Sequence, residues 1–156
     1  MNVKIECKGF LKKIECKVKP EDKISVLQSE VEKATKISPE NQILLAGSRK
    51  LNEKETFKEH GIGEGFTIVM FKKKPEGEMR IFLKTLKNDY FDVSVSAELK
   101  IEDLKLKIQL EAEFLADTQR LLLPNGKKLD VDDKSLEDYG IENEAVIILV
   151  VSPKPH

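Results

Sequence analysis

The 156-residue chain has no tryptophan, two cysteines and two histidines. Cys7 and Cys16 are too few for a disulfide scaffold, so a reducing compartment, cytoplasm or nucleus, is the expectation. A four-ligand structural zinc site would consume every Cys and His, including the terminal His156. No catalytic residue, metal site or cofactor is expected. Gly61, Gly63 and Gly65 have glycine-loop spacing but no strand-to-helix context, so they make no phosphate loop. Long apolar runs are also missing. The longest is Ala145–Val151, seven residues, against the roughly 20 of a spanning helix, and Met1–Phe10 lacks the apolar stretch of a secretory signal. No membrane role is expected. Nor is nucleic-acid binding, which wants a broad basic face with interleaved aromatics, whereas Lys72–Lys74 is a short run in a linker.

Apolar residues make up 40% and charged residues 35%, the composition of a folded chain. The charge is unevenly placed. Residues 1–75 carry 16 Lys/Arg and 11 Asp/Glu, net +5, and residues 76–156 carry 11 and 17, net −6. A change of sign along a chain hints at two domains. Self-comparison gives the same division. Lys23-Ile24-x-x-Leu27 recurs as Lys100-Ile101-x-x-Leu104, and Gln42-x-Leu44-Leu45 as Gln119-x-Leu121-Leu122, both after 77 residues. His60-Gly61-Ile62 recurs as Tyr139-Gly140-Ile141 after 79, so a small insertion lies near Pro124-Asn125-Gly126. A period of half the chain is too long for a solenoid and suits two copies of one small domain. The expected division is 1–74, a linker at 75–78, 79–151 and a flexible tail at 152–156.

Within a copy, Val3, Ile5 and Cys7, then Ile14, Cys16 and Val18, alternate with polar residues, the signature of a hairpin with one buried face. Pro20-Glu21-Asp22 reads as a helix start with acids at the positive end of the dipole. Ile24, Leu27, Val31 and Ala34 follow at helical spacing. Ile43–Ala46 and Phe66–Phe71 read as strands. The second copy repeats the order β-β-α-β-β. The predicted class is α+β, one helix across one mixed sheet in each copy. If Val3 faces Val18, Ile5 faces Cys16 and Cys7 faces Ile14, which makes the thiols diagonal neighbours in an inert core.

These segments resemble the ubiquitin family. In the second copy the resemblance runs through Met79–Leu86, Gln119–Leu122, Gly126–Leu129, Leu136–Ile141 and Val146–Val150. In the first, more divergent copy it rests on Val18–Ile24, Ser38–Gln42, Ala46-Gly47 and Phe57–Ile62. The resemblance implies two tandem β-grasp domains and no catalysis. It implies partners among proteins of the ubiquitin-proteasome system (ubiquitin-binding helices, proteasome receptors or ligases), bound by a single copy of the chain. Family members used as modifiers end in Gly-Gly. This sequence ends Val151-Ser152-Pro153-Lys154-Pro155-His156, so the expectation is an interaction protein. The alternative is a tandem modifier seen without its conjugation tail.

By residue matching, the family's apolar patch falls on Leu86, Leu122, Ile148 and Val150 in the second copy, and on Leu45, Val69 and Phe71, near Phe10, in the first. The alternation of Ala145–Val151 agrees: Ile147 and Leu149 take one face, Ile148 and Val150 the other, although a sheet covered by one helix has a wet face. A partner, the sister domain, or water could meet that face. Leu106 and Leu110 lie nearly opposite the core stripe of Ile101, Leu104 and Ile108, as does Phe114, which is expected to fold back into the core. The two leucines read either as a second docking surface or contact between copies, or as tolerated surface residues. His60 matches Tyr139, which implies a residue that caps a loop.

Overall fold

In both halves a hairpin leads into a single helix, and the chain returns to lay its last strand beside its first. The computed structural model describes residues 1–10, 12–75 and 77–152. Glu76 of the expected linker and residues 153–156 of the expected tail lie outside the described residues. The chain divides into two compact units, Met1–Pro75 and Glu76–His156.

The first unit comprises β1 (Asn2–Cys7), β2 (Lys12–Lys17), α1 (Ile24–Thr35), β3 (Gln42–Ala46), β4 (Arg49–Lys50) and β5 (Thr67–Lys72). Its sheet order is β2-β1-β5-β3-β4, with β1 and β5 parallel. The second comprises β6 (Arg80–Thr85), β7 (Tyr90–Ser94), α2 (Ile101–Ala112), β8 (Gln119–Leu122) and β9 (Val146–Val151), ordered β7-β6-β9-β8 with β6 and β9 parallel. The α+β class and the helical stripes are as expected. Ile24, Leu27 and Val31 pack against Val3, Ile5, Leu44, Ile68 and Met70. Ile101, Leu104 and Ile108 pack against Ile81, Leu83, Leu121, Ile147 and Leu149. Phe114 is half-buried against this second core, 6.5 Å from the Phe91 ring.

Two local expectations are corrected. The acids of Pro20-Glu21-Asp22 do not enter the helix, which begins at Ile24 with no acidic residue in its first turn. Asp22 instead closes the preceding turn, its carboxylate accepting the Lys19 N–H at 2.9 Å. The hairpin register also differs by two residues: Val3 pairs with Cys16, Ile5 with Ile14 and Cys7 with Lys12. Cys7 and Cys16 are therefore four positions out of step, not diagonal neighbours.

A buried glutamine fixes each helix to its sheet. Gln42 Nε2 donates to the carbonyls of Gln28 (3.0 Å) and Ile37 (2.9 Å). Gln119 Nε2 donates to those of Lys105 (2.9 Å) and Phe114 (2.8 Å). The carbonyls of Gln28 and Lys105 lie within the helices, and those of Ile37 and Phe114 lie just past Lys36 and Glu113, the left-handed residues that end them, so each amide ties its helix to the segment that follows and to the strand that carries the glutamine. The two copies thus share this glutamine tie as well as their stripe.

Candidate protein-interaction site

One helix covers one face of each sheet, so strand alternation sends the remaining side chains to the opposite face. In the second unit Ile147 and Leu149 enter the core. Val146, Ile148 and Val150 point the other way. Register extends this set across the sheet. Ile148 is opposite Leu122 on β8 and beside Lys84 on β6, and Lys84 is opposite Tyr90 on β7. Leu122, Ile148, Lys84 and Tyr90 thus form a row over four strands, with Val150 opposite Arg120 alongside it. Leu122, Ile148 and Val150 are half-buried. Leu86, in the β6–β7 turn, is 69% exposed.

The charge bordering this row is mainly cationic, with Asp130 an acid at its edge. Lys84 is half-buried within it, and Arg120 and Lys128 are exposed at the β8 edge. Arg120, Leu122, Lys128 and Val150 line an open groove of about 420 Å³. A second of about 420 Å³ runs between Leu86, Phe114, Leu149 and Val151. Toward β7 the face is closed. The Arg80 guanidinium lies 4.9 Å above the Phe82 ring and 3.3 Å from an Asp92 carboxylate oxygen, and Phe82, Tyr90 and Val146 are buried. The cations and aromatics of β6 and β7 were not singled out from the sequence. The signal was present, since Arg80, Phe82 and Lys84 share one phase of the strand period.

In the first unit the matching face carries the cross-strand pairs Ile43–Phe71 and Leu45–Val69, which set four apolar side chains against one another. Leu45, Val69 and Phe71 are all buried, at 0%, 2% and 5% exposure, against the expectation of open residues there. Phe10, on the hairpin turn, is 38% exposed. Among the residues matched to the patch, surface remains at Leu86, Leu122, Ile148 and Val150 of the second unit and at Phe10 of the first.

On α2, Leu106 is 51% and Leu110 82% exposed. The helix lysines nearest them are engaged elsewhere: Lys105 Nζ is 3.1 Å from an Asp132 carboxylate oxygen, and Lys107 Nζ donates to the Ser94 carbonyl. Glu102, Asp103 and Glu113 remain exposed around the leucines.

The groups with reactive potential are placed for structure. Both thiols are free and buried, and burial raises both above the ordinary thiol range. At Cys7 nearby Lys12 offsets this in part, while Glu30 adds to the rise at Cys16. His60 Nε2 accepts the Asn52 N–H at 3.2 Å, as Tyr139 Oη accepts the Val131 N–H at 3.1 Å. Among the described residues no group of three or more His, Cys, Asp or Glu side chains is placed to hold a metal ion, and no helix is long and apolar enough to cross a membrane.

Comparison with known proteins matches this architecture twice over. The model of the ubiquitin family matches residues 1–75 and again 81–154. Human ubiquitin D is 28% identical over 137 residues, covering 83% of this chain and 81% of that protein. Mouse ubiquitin D is 29% identical over 133 residues, covering 82% and 81%. The UV excision repair protein rhp23 of Schizosaccharomyces pombe is 36% identical over 75 residues, 47% of this chain and 20% of that protein. With a helix clasped by a mixed sheet in each unit and a family match across both, the chain belongs to the ubiquitin family, as a tandem of two ubiquitin-like β-grasp domains.

Proposed function

We propose that this chain is a non-catalytic interaction protein of the ubiquitin system, and that the open sheet face of its second domain is what partners read. The observation that carries the reading is the row Leu122–Ile148–Lys84, with Val150 beside it. Contiguous apolar surface left in contact with water marks an interaction site. The row is flat and strand-built, which suits a partner helix laid across it with apolar residues one turn apart. Lys84, Arg120 and Lys128 select a helix whose apolar stripe is flanked by acidic residues. Helical ubiquitin receptors, proteasome subunits and ligases are the partner classes proposed. A patch this small belongs with weak, transient interfaces. Leu45, Val69 and Phe71 are buried, so the reading rests on the second domain.

The test is a titration of the isotopically labelled full chain, followed by NMR, with a peptide helix carrying an apolar stripe and acidic flanks. Shift changes centred on Leu122, Ile148, Val150 and Lys84, lost in Leu122→Ala/Ile148→Ala, are expected. Binding undiminished in that variant, or shifts centred elsewhere, would overturn the proposal.

A further inference from the structure

The two helices, equivalent by the repeat, expose faces of opposite chemistry. On α2 that face holds Glu102, Asp103, Leu106 and Leu110, with Glu113 just beyond the last turn, all exposed. The residues 77 earlier are Ser25, Val26, Ser29, Lys33 and Lys36, also all exposed, with Lys23 exposed at the start of α1. The leucine pair of one helix thus has a counterpart of small and basic residues on the other.

We infer that these two faces dock on each other between copies of the chain, α2 of one copy lying antiparallel against α1 of the next. In that arrangement Glu102 and Asp103 meet Lys33 and Lys36, Glu113 meets Lys23, and Leu106 and Leu110 cover Val26 and Ser29. The serines let the leucines come close to the α1 backbone. Lys33 can take part, because its ion pair with Glu30 at 3.3 Å is an exposed i,i+3 pair of little net worth. Glu30 and Glu32, both exposed beside this face, are acids that oppose the fit. The halves as wholes attract, at net +5 for residues 1–75 and −6 for residues 76–156. The contact is heterologous, since the surfaces joined are different, and two copies joined by one such contact leave an α1 face and an α2 face open for further copies. It is small, and the chain is single when dilute.

Analytical ultracentrifugation of the full chain, from micromolar to about 1 mM, tests this. At low salt the average mass should climb with concentration beyond the 17.7 kDa of one chain and through that of a dimer. At about 0.5 M salt it should fall back toward a single chain. Leu106→Asp/Leu110→Asp retains only the α1 face, and Lys33→Glu/Lys36→Glu only the α2 face. Each alone should stay single, and an equimolar mixture should form pairs and stop there. All of these residues are exposed, so circular dichroism should show both variants folded. A wild type that stays single throughout, association that survives in either variant, or a mixture that fails to pair would each overturn the inference.

Discussion

Asn52 and His60 make with an imidazole the bond that Val131 and Tyr139 make with a phenol. In each unit a backbone N–H donates to a side chain eight residues on, at 3.2 Å in the first and 3.1 Å in the second. This pins the loop that leads toward the last strand. Tyr139→Phe keeps the ring and removes the acceptor, so it should cost the second unit about 1 kcal/mol. His60→Ala also removes a buried ring and should cost the first unit about 2 kcal/mol. Denaturant unfolding of each variant measures both.

Gln119 offers a sharper stability test. Its Nε2 donates to the carbonyls of Lys105 and Phe114, and Gln119→Leu removes both bonds from a buried site. The expected loss is about 2–4 kcal/mol, read from the same unfolding curves. Gln42→Leu should act alike in the first unit.

Leu121 and Leu122 are consecutive and face opposite ways. Leu121 is buried in the second core and Leu122 half-buried on the open face. Leu121→Ala should cost about 2–5 kcal/mol. Leu122→Ala should cost under about 1 kcal/mol while abolishing peptide binding. Thermal unfolding and the NMR titration, run on both, separate packing from recognition.

Asp138 and Ser135 cap a short turn reciprocally. The Ser135 N–H donates to the Asp138 carboxylate at 2.9 Å, and the Asp138 N–H donates to Ser135 Oγ at 3.1 Å. The Ser135 backbone N–H, and then its side chain, hold the Asp138 carboxyl below the usual range. A lowered carboxyl contributes stability above its unfolded-state value and loses it as pH falls through the folded one. Asp138→Asn should therefore lower the Tm at neutral pH and make little difference at an acid pH below the folded-state value of the carboxyl. Calorimetry at the two pH values checks the sign.

Cys7 and Cys16 should resist alkylation in the folded chain and react fully once it is unfolded, because burial disfavours their thiolates. By linkage, this contribution to stability is complete below the unfolded-state thiol value and is lost as pH rises through the raised folded one. Iodoacetamide labelling read by mass, with and without denaturant, gives the test. Rapid labelling of the native chain would contradict it.

Long-period similarity and apolar phase carried most of the fold. The 77-residue shift aligned Ile24 with Ile101 and Gln42 with Gln119, and each pair has the same structural role. Local chemistry was less legible. Pro20-Glu21-Asp22 has the composition of a helix start, but the Asp22 carboxylate is taken by the Lys19 N–H and the helix waits until Ile24. The hairpin register depends on the turn between β1 and β2, which alternation alone does not fix. β4 is two residues long, too short for any periodicity. At the candidate site the leucines and isoleucine of the second unit could be read by matching. Lys84, Arg120 and Lys128 acquire meaning only when register brings them to the same face, and the burial of Leu45, Val69 and Phe71 has no sequence signal.

In each domain the first and last strands lie side by side and run the same way, β1 with β5 and β6 with β9. A pull on the two ends of a domain is then directed along this strand pair in opposite senses. It loads the whole row of interstrand bonds at once, in shear, instead of peeling them one by one. Any machine that unravels this chain from an end must break such a clamp in each domain it passes, and should stall there before the rest gives way.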